Sequence, residues 1–209
     1  MPSDLSDAFN EFYEQRALFG RLWVASLIVL LSAFAFGFQA IGIYYALGAG
    51  RFDIANAVTI EWAFRFAEPL LLWGILSVFF LMAIRVLGEQ VRFGRLIKLT
   101  GFGFAPLIAS GLIWSVGHYI AYQGIPVPEG VRIGVLSSER DAFVEITAQA
   151  SGDPSLVGSI AVGGLFLIAS VYLWVVGIEY SSSLDRRRAT AIAALPAVLY
   201  FAFSIVRFL

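Results

Sequence analysis

The sequence predicts an all-α integral membrane protein, a bundle of five transmembrane helices with a cytoplasmic N-terminus and an external C-terminus (N-in/C-out). Of its 209 residues 59% are hydrophobic and 14% are charged, whereas an ordinary soluble domain has about a quarter charged residues. The mean hydropathy is +0.82. Five runs lack Asp, Glu, Lys, Arg and His, and a helix needs about 20 apolar residues to cross a hydrocarbon core of about 30 Å.

The N-terminal segment, residues 1–20, is predicted to be amphipathic, and residues 21–209 form the membrane domain. Five apolar residues recur on one helical face, with acidic residues opposite: Leu5, Ala8, Phe9, Phe12 and Tyr13. One interpretation is a helix that lies on the membrane surface and binds a partner. A helix packed against the end of the bundle is favoured, because anionic lipid prefers Lys and Arg on the polar face.

The predicted spans follow the uncharged runs. They cover residues 22–48, 67–87, 99–121, 155–179 and 189–208. The second run begins at Pro69 and is short, so its span requires Arg85 to extend its charged end to the interface. The first run has 29 residues, which exceeds the roughly 7 to 15 of a cleavable signal peptide. We therefore expect the first span to stay as an anchor.

The basic residues set the predicted orientation, because cytoplasmic loops are enriched in Lys and Arg. With the N-terminus inside, nine basic residues are cytoplasmic: Arg16, Arg21, Arg85, Arg92, Arg95, Lys98, Arg186, Arg187 and Arg188. Five are external: Arg51, Arg65, Arg132, Arg140 and Arg207. The two cytoplasmic loops are also the short, densely basic ones.

Six of the cytoplasmic residues form one predicted basic surface, Arg92, Arg95 and Lys98 in the first loop with Arg186, Arg187 and Arg188 in the second. Such a surface suits anionic lipid head groups, at about 1 kcal/mol per basic residue, or an acidic protein. Membrane lipids, and a membrane-protein partner or a second copy of the chain, are the expected partners. The role of basic residues in setting the orientation of the chain would explain their presence equally well.

The outer loop, about residues 123–153, is long enough to be functional or disordered. Residues 138–141 read Ser-Glu-Arg-Asp and resemble a capping box that opens a helix with Phe143, Ile146 and Ala150 on one side. A lid, a receptor for an external partner and a cap over the bundle are all consistent with this loop. The cap is preferred.

Two polar residues in the spans are candidate site residues, because polar groups inside membranes are functional by default. Gln39 lies deep in the first span, and His118 lies near the outer end of the third. His118 with Glu61 or Glu68 would form a titratable relay for a proton-coupled carrier. The alternative is that His118 belongs to an aromatic belt with its Tyr neighbours.

No catalytic motif is present in the sequence. It contains no Cys and one His, and it has no zinc-protease, nucleophile-elbow or phosphate-loop motif. We expect no enzymatic activity, no metal, no cofactor and no nucleic-acid partner. Small residues recur at helix spacing, as in Gly111 to Ser115 and Ser159 to Gly163, which indicates close helix packing within the bundle or between two copies.

Four segments of the chain resemble the Yip family of Rab-interacting, five-span membrane proteins, in its prokaryotic branch. They are the second span from Pro69, the loop VRFGRLIK, the third span from Thr100 through Gly101, Phe102 and Gly103 to Pro106, and the segment SLDRRRATAIAALP. The resemblance implies five spans and a non-enzymatic protein that organises or remodels membranes or scaffolds partners. It implies the plasma membrane of a prokaryote, or an endomembrane in a eukaryote.

Gly101, Gly103 and Pro106 also predict a local irregularity. Pro lacks the N–H that bonds to residue i−4, so the inner end of the third helix should bend or begin irregularly there. A helix start with Pro in its first turn and a half-buried cavity at the inner leaflet are the two interpretations. The rival function for the whole chain is a small-solute transporter or channel.

Overall fold

The computed structural model describes the backbone of residues 21–208 and the side chains of residues 21–202. All regular structure in this range is helical: α1 (Leu22–Ala46), a 3-10 helix (Gly48–Ile54), α2 (Ala55–Val86), α3 (Phe93–Phe102), α4 (Ala105–Ala121), α5 (Leu136–Ala150), α6 (Pro154–Ser181) and α7 (Arg186–Phe208). The predicted all-α fold is confirmed for these residues. The predicted amphipathic segment, residues 1–20, lies outside the described part of the chain.

Four stretches of the described residues are long and apolar enough to cross a membrane: Leu22–Ala46, Gly48–Val86, Phe93–Ala121 and Pro154–Ser181. Each of them overlaps one of the first four predicted spans. Helix α7 has 23 residues and lies where the fifth span is predicted, but it is not among these four stretches. The fifth span and the N-in/C-out orientation stay predictions.

Helix α2 extends well upstream of the predicted second span. It begins at Ala55, has 32 residues and passes through Pro69, so at 1.5 Å per residue it is about 48 Å long. The charged residues that marked the predicted boundary are paired within the helix instead, since Arg65 Nε lies 2.7 Å from Glu61 Oε1. A pair of opposite charges one turn apart is compatible with a continuous helix.

The helices pack in the order α2, α1, α4, α6, α7, and α3 lies against α1, α2 and α6. Five aromatic side chains fill the middle of the bundle: Phe36, Phe80, Phe104, Trp114 and Trp174. Their ring centroids lie 5.5 Å apart for Phe36 and Trp114 and 5.8 Å apart for Phe104 and Trp174. We call this set the aromatic layer.

Small residues bring α4 close to both of its neighbours. Gly111 lies against Phe36 of α1, and Ser115 Oγ donates a hydrogen bond to the Ala35 carbonyl at 3.1 Å. On α6, a Cβ at Gly163 would lie 2.0 Å from Trp114 Nε1. These small residues therefore pack within the bundle, as small residues at membrane helix interfaces commonly do.

The two ends of the bundle carry opposite charge. At the end where α1, α3 and α7 begin, here called the basic end, eight basic residues outnumber three acidic ones: Arg21, Arg85, Arg92, Arg95, Lys98, Arg186, Arg187 and Arg188 against Glu89, Glu179 and Asp185. In the opposite half, here called the α5 end, the described residues comprise eight acidic and four basic ones: Asp53, Glu61, Glu68, Glu129, Glu139, Asp141, Glu145 and Asp153 against Arg51, Arg65, Arg132 and Arg140.

Candidate functional site

The family-like segment from Thr100 to Pro106 forms the junction between α3 and α4. Helix α3 ends at Phe102, and α4 begins at Ala105 with Pro106 in its first turn. Pro suits this position because the first N–H groups of a helix have no partner within it. The third span thus begins with a short separate helix, and Pro106 opens the helix that follows.

Side chains from three other helices bind the carbonyl groups around this junction. Trp174 Nε1 of α6 donates to the Thr100 carbonyl at 2.9 Å, and Trp73 Nε1 of α2 donates to the Ile97 carbonyl at 2.8 Å. Ser32 Oγ of α1 donates to the Phe104 carbonyl at 3.0 Å. A helix break in a membrane is stable only when such groups are satisfied. The three donors therefore fix the orientation of α3.

The glycines of the segment are required by these contacts. A Cβ at Gly103 would lie 2.0 Å from Trp174 Nε1, and a Cβ at Gly101 would lie 2.8 Å from Ala25 Cβ. Thr100 and Phe102 are buried as well. The segment is a packed joint that positions α3, and its side chains face the bundle.

Helix α3 brings part of the predicted basic surface to the basic end of the bundle. Leu96 and Leu99 are buried and Phe93 is exposed, while Arg95 is exposed. The Arg95 guanidinium carbon lies 4.3 Å from the centre of the Tyr180 ring on α6, a cation–π distance. Helix α3 is therefore amphipathic: its leucines are buried in the bundle, and Arg95 is exposed beside the end of α6.

The second basic segment lies beside the first. Ser183 Oγ donates to Glu89 Oε2 at 2.9 Å, which joins the two loops of this end. Arg186, Arg187 and Arg188 are exposed at the start of α7. The six basic residues predicted to share a surface thus lie on two segments that are in contact.

A cavity of about 570 Å³ lies at the α5 end, enclosed by α1, α2, α4 and α5. Its polar lining includes the Glu61–Arg65 pair and His118. The structure brings His118 and Glu61 into one cavity, as the predicted relay requires, whereas Glu68 is not part of the lining. His118 is 1% exposed and its ring stacks on Tyr122, with centroids 6.1 Å apart.

The tautomer of His118 is set by its neighbour one turn earlier. Its Nδ1 lies 2.7 Å from the Trp114 carbonyl oxygen. A carbonyl oxygen can only accept, so Nδ1 carries a proton. The bond holds the ring against the wall of the cavity, where His118 is buried and stacked on Tyr122. The aromatic-belt interpretation stays a prediction.

Gln39 is separate from this cavity. Its side chain is fully buried on α1, and neither amide atom has a hydrogen-bond partner among the residues that the structure describes. It does not line the cavity with His118.

Sequence reasoning missed the role of Glu139, which was considered only as part of the predicted capping box of residues 138–141. The predicted capping box does not form: the N-cap of α5 is Val135, and no side chain caps that helix. Instead the Glu139 carboxylate reaches the start of α2, where Oε2 accepts from the backbone N–H groups of Asn56 at 3.0 Å and Ala57 at 3.3 Å. Oε1 accepts from the Asn56 amide at 2.9 Å and from the Gly134 N–H at 2.8 Å.

The Glu139 carboxylate thus caps α2 from another helix. The first N–H groups of a helix lack internal partners and attract negative charge. Burial would raise the pKa of Glu139, but the hydrogen bonds from Asn56, Gly134 and Ala57 outweigh it and lower the pKa below its usual range. One feature of the sequence could have indicated that Glu139 is buried. It shares a helical face with the apolar residues Ala142, Ile146 and Ala150, which are buried in the structure.

No group of three or more His, Cys, Asp or Glu side chains within the described part of the chain is arranged to hold a metal ion. The predicted site residues therefore divide into three sets. The junction and the basic surface lie at one end, the cavity lies at the other, and Gln39 lies apart from both.

Comparison with known proteins gives one match. The model of the Yip1 domain family matches residues 2–208, and comparison with curated proteins and with solved structures gave none. The family is one of membrane proteins without known enzymatic activity, and the apolar helices described above agree with a multi-pass membrane protein. Since the match spans nearly the whole chain, the protein belongs to the Yip1 domain family of integral membrane proteins.

Proposed function

We propose that this protein organises or remodels its membrane by binding anionic lipid at the basic end, without catalysing a reaction. The observation that carries the proposal is the contact between the two basic segments, made by Ser183 and Glu89 at 2.9 Å. This contact brings together the two segments that carry the six basic residues, which supports one shared basic surface. Each basic residue near an anionic leaflet contributes about 1 kcal/mol, so a surface of six such residues would bind anionic lipid head groups stably.

The amphipathic helix α3 supports a role in shaping the membrane. The apolar face of α3 packs on the bundle, with Leu96 and Leu99 buried, but the Phe93 ring at its first residue is exposed and can insert into the head-group layer, as apolar side chains of interfacial helices do. Trp73 and Trp174 bond to the carbonyl groups of α3 and its junction. Because α3 is held at a fixed angle to the bundle, the lipid head groups around it would have to adjust to its position.

The proposal sets the basic end in the cytoplasm of a prokaryotic cell, facing the inner leaflet of the plasma membrane. In a eukaryotic cell the corresponding membrane would be an endomembrane. The excess of basic over acidic residues at this end supports the orientation through the positive-inside rule. An acidic protein surface, or a second copy of the chain, is the other partner to which this end is suited.

Reconstitution tests the proposal. The purified chain is placed in vesicles of phosphatidylcholine alone or mixed with phosphatidylglycerol, and vesicle shape and clustering are examined by flotation and electron microscopy. We expect deformation or clustering that requires the anionic lipid. The proposal fails if the protein neither deforms nor clusters vesicles and retains no protein partner on purification.

Transport of a small solute is the second candidate function, and the cavity lined by Glu61, Arg65 and His118 favours it. The aromatic layer argues against it, because Phe36 and Trp114 are almost fully buried and fill the bundle between the cavity and the basic end. Flux of solutes into proteoliposomes decides between the two. Solute movement abolished by His118→Ala would favour transport.

A further inference from the structure

The mouth of the α5-end cavity lies on the lipid-facing side of α2. Exposed apolar side chains recur along that helix: Ile60, Phe64, Leu71, Ile75, Val78 and Met82. The first two also line the cavity, so the cavity continues the stripe that would contact acyl chains. Across the mouth, α5 contributes Leu136 and Val144, which are 49% and 59% exposed.

Polar groups lie deeper inside the same cavity. Arg65 is 6% exposed and pairs with Glu61 at 2.7 Å, and His118 forms part of the same wall. Tyr122 Oη donates to Thr147 Oγ1 at 3.3 Å, which adds two hydroxyl groups. The cavity therefore has a polar interior and a largely apolar opening. The entrance of a water-filled channel would instead be polar.

The charged groups of the lining favour an anion. The lining contains two arginines, Arg65 and Arg140, and one carboxylate, that of Glu61. Arg140 is exposed at the mouth, where its guanidinium group can bind phosphate through two hydrogen bonds. The volume of about 570 Å³ lies within the range of about 300 to 1,000 Å³ that is typical of ligand pockets.

We propose that this cavity binds the head group of one anionic phospholipid, with its phosphate at Arg140 and Arg65 and its acyl chains passing between Phe64 and Val144 along α2. The polar interior suits the head group, and the apolar mouth suits the chains where they leave the cavity. This inference does not depend on the proposed function, because the basic end lies at the opposite end of the bundle.

Photo-crosslinking in reconstituted vesicles tests the proposal. The full-length chain is incubated with a phosphatidylglycerol analogue that carries a photoreactive group on its acyl chain, and crosslinked residues are identified by mass spectrometry. We expect crosslinks concentrated at Phe64, Leu136 and Val144. Arg140→Gln should reduce them about tenfold, the effect of losing one charged hydrogen-bonding partner, whereas Arg132→Gln on the same loop should not.

A second pair of variants blocks the cavity by volume. Val144→Trp should abolish crosslinking at Phe64, whereas Val198→Trp should leave it unchanged, since Val198 is similarly exposed, at 65%, on α7. Equal crosslinking by a phosphatidylcholine analogue, or crosslinks spread evenly along α2 and insensitive to Arg140→Gln, would show only annular lipid and overturn the proposal. Full displacement by glycerol 3-phosphate would overturn it in favour of a soluble phosphate ligand.

Discussion

The Glu139 carboxylate accepts a hydrogen bond from the backbone N–H of Asn56 at 3.0 Å, although the two residues lie 83 positions apart. The bond joins the middle of the outer loop to the start of α2, and Ala57 donates to the same oxygen at 3.3 Å. Because Glu139 is 1% exposed, this cap is shielded from water. It holds α5 over the cavity wall that α2 provides.

Glu139→Ala should therefore destabilise the protein more than an ordinary surface substitution. Loss of the carboxylate leaves N–H groups of Asn56, Ala57 and Gly134 without their acceptor. Hydrogen bonds to charged groups are each worth about 1.5 to 3 kcal/mol, but the cost of burying the carboxylate offsets part of their sum. We expect a loss of about 2 to 4 kcal/mol in the free energy of unfolding, measured by denaturation in detergent. Glu145→Ala, at an exposed site on the same helix, is the control and should change little.

Acid should loosen the same contact. The pKa of Glu139 is lower in the folded protein than its usual value, so its contribution to stability is complete above about pH 4.3, the unfolded value. It is lost as the pH falls from there through the folded value. The protection factors of the α5 amides, which are corrected for the intrinsic pH dependence of hydrogen exchange, should fall over that range.

Glu139→Gln separates this effect from other acidic groups. The pKa of Asp153 is also lowered, by its hydrogen bonds from Ser155, so the wild-type protein has more than one acid-sensitive cap. The variant should exchange faster at neutral pH and depend less on pH below about 4.3. An identical pH dependence in the wild type and the variant would show that Glu139 does not contribute.

Gly103 is predicted to tolerate no side chain. A Cβ there would lie 2.0 Å from Trp174 Nε1, the atom that donates to the Thr100 carbonyl. Gly103→Ala should cost about 3 kcal/mol in stability, at the upper end for overpacked sites. Gly94→Ala in α3 has no atom within 4 Å of the added Cβ, so it should leave thermal stability unchanged or slightly raised.

The orientation of the chain is directly testable, because the sequence contains no Cys and a single introduced thiol can be labelled without background. Gln90 and Ala148 are exposed at the basic and α5 ends. A membrane-impermeant maleimide should label Ala148→Cys in intact cells and Gln90→Cys only after lysis. The reverse pattern would contradict the N-in orientation, and an epitope tag fused after Leu209 should be external if α7 crosses the membrane.

The helices were predictable from the sequence because long uncharged runs have few alternatives in a membrane. The start of α2 was not, because Glu61 and Arg65 mark a boundary by charge but form a pair inside the helix. The cap by Glu139 depends on a contact between distant segments, which no local pattern specifies. The cavity likewise arises from four helices that meet around His118. His118 and Glu61 were singled out from the sequence as members of a relay, but Arg65, Arg140 and the apolar lining were not.

Two triple variants at the basic end test directly whether its positive charge acts on the membrane. The triple variant Arg186→Gln, Arg187→Gln and Arg188→Gln removes three exposed charges, and the matching triple Lys variant keeps them. Vesicle clustering or deformation is measured by electron microscopy with anionic phosphatidylglycerol present. The account predicts that the wild type and the Lys variant act on the vesicles and the Gln variant does not; equal action by all three would contradict it.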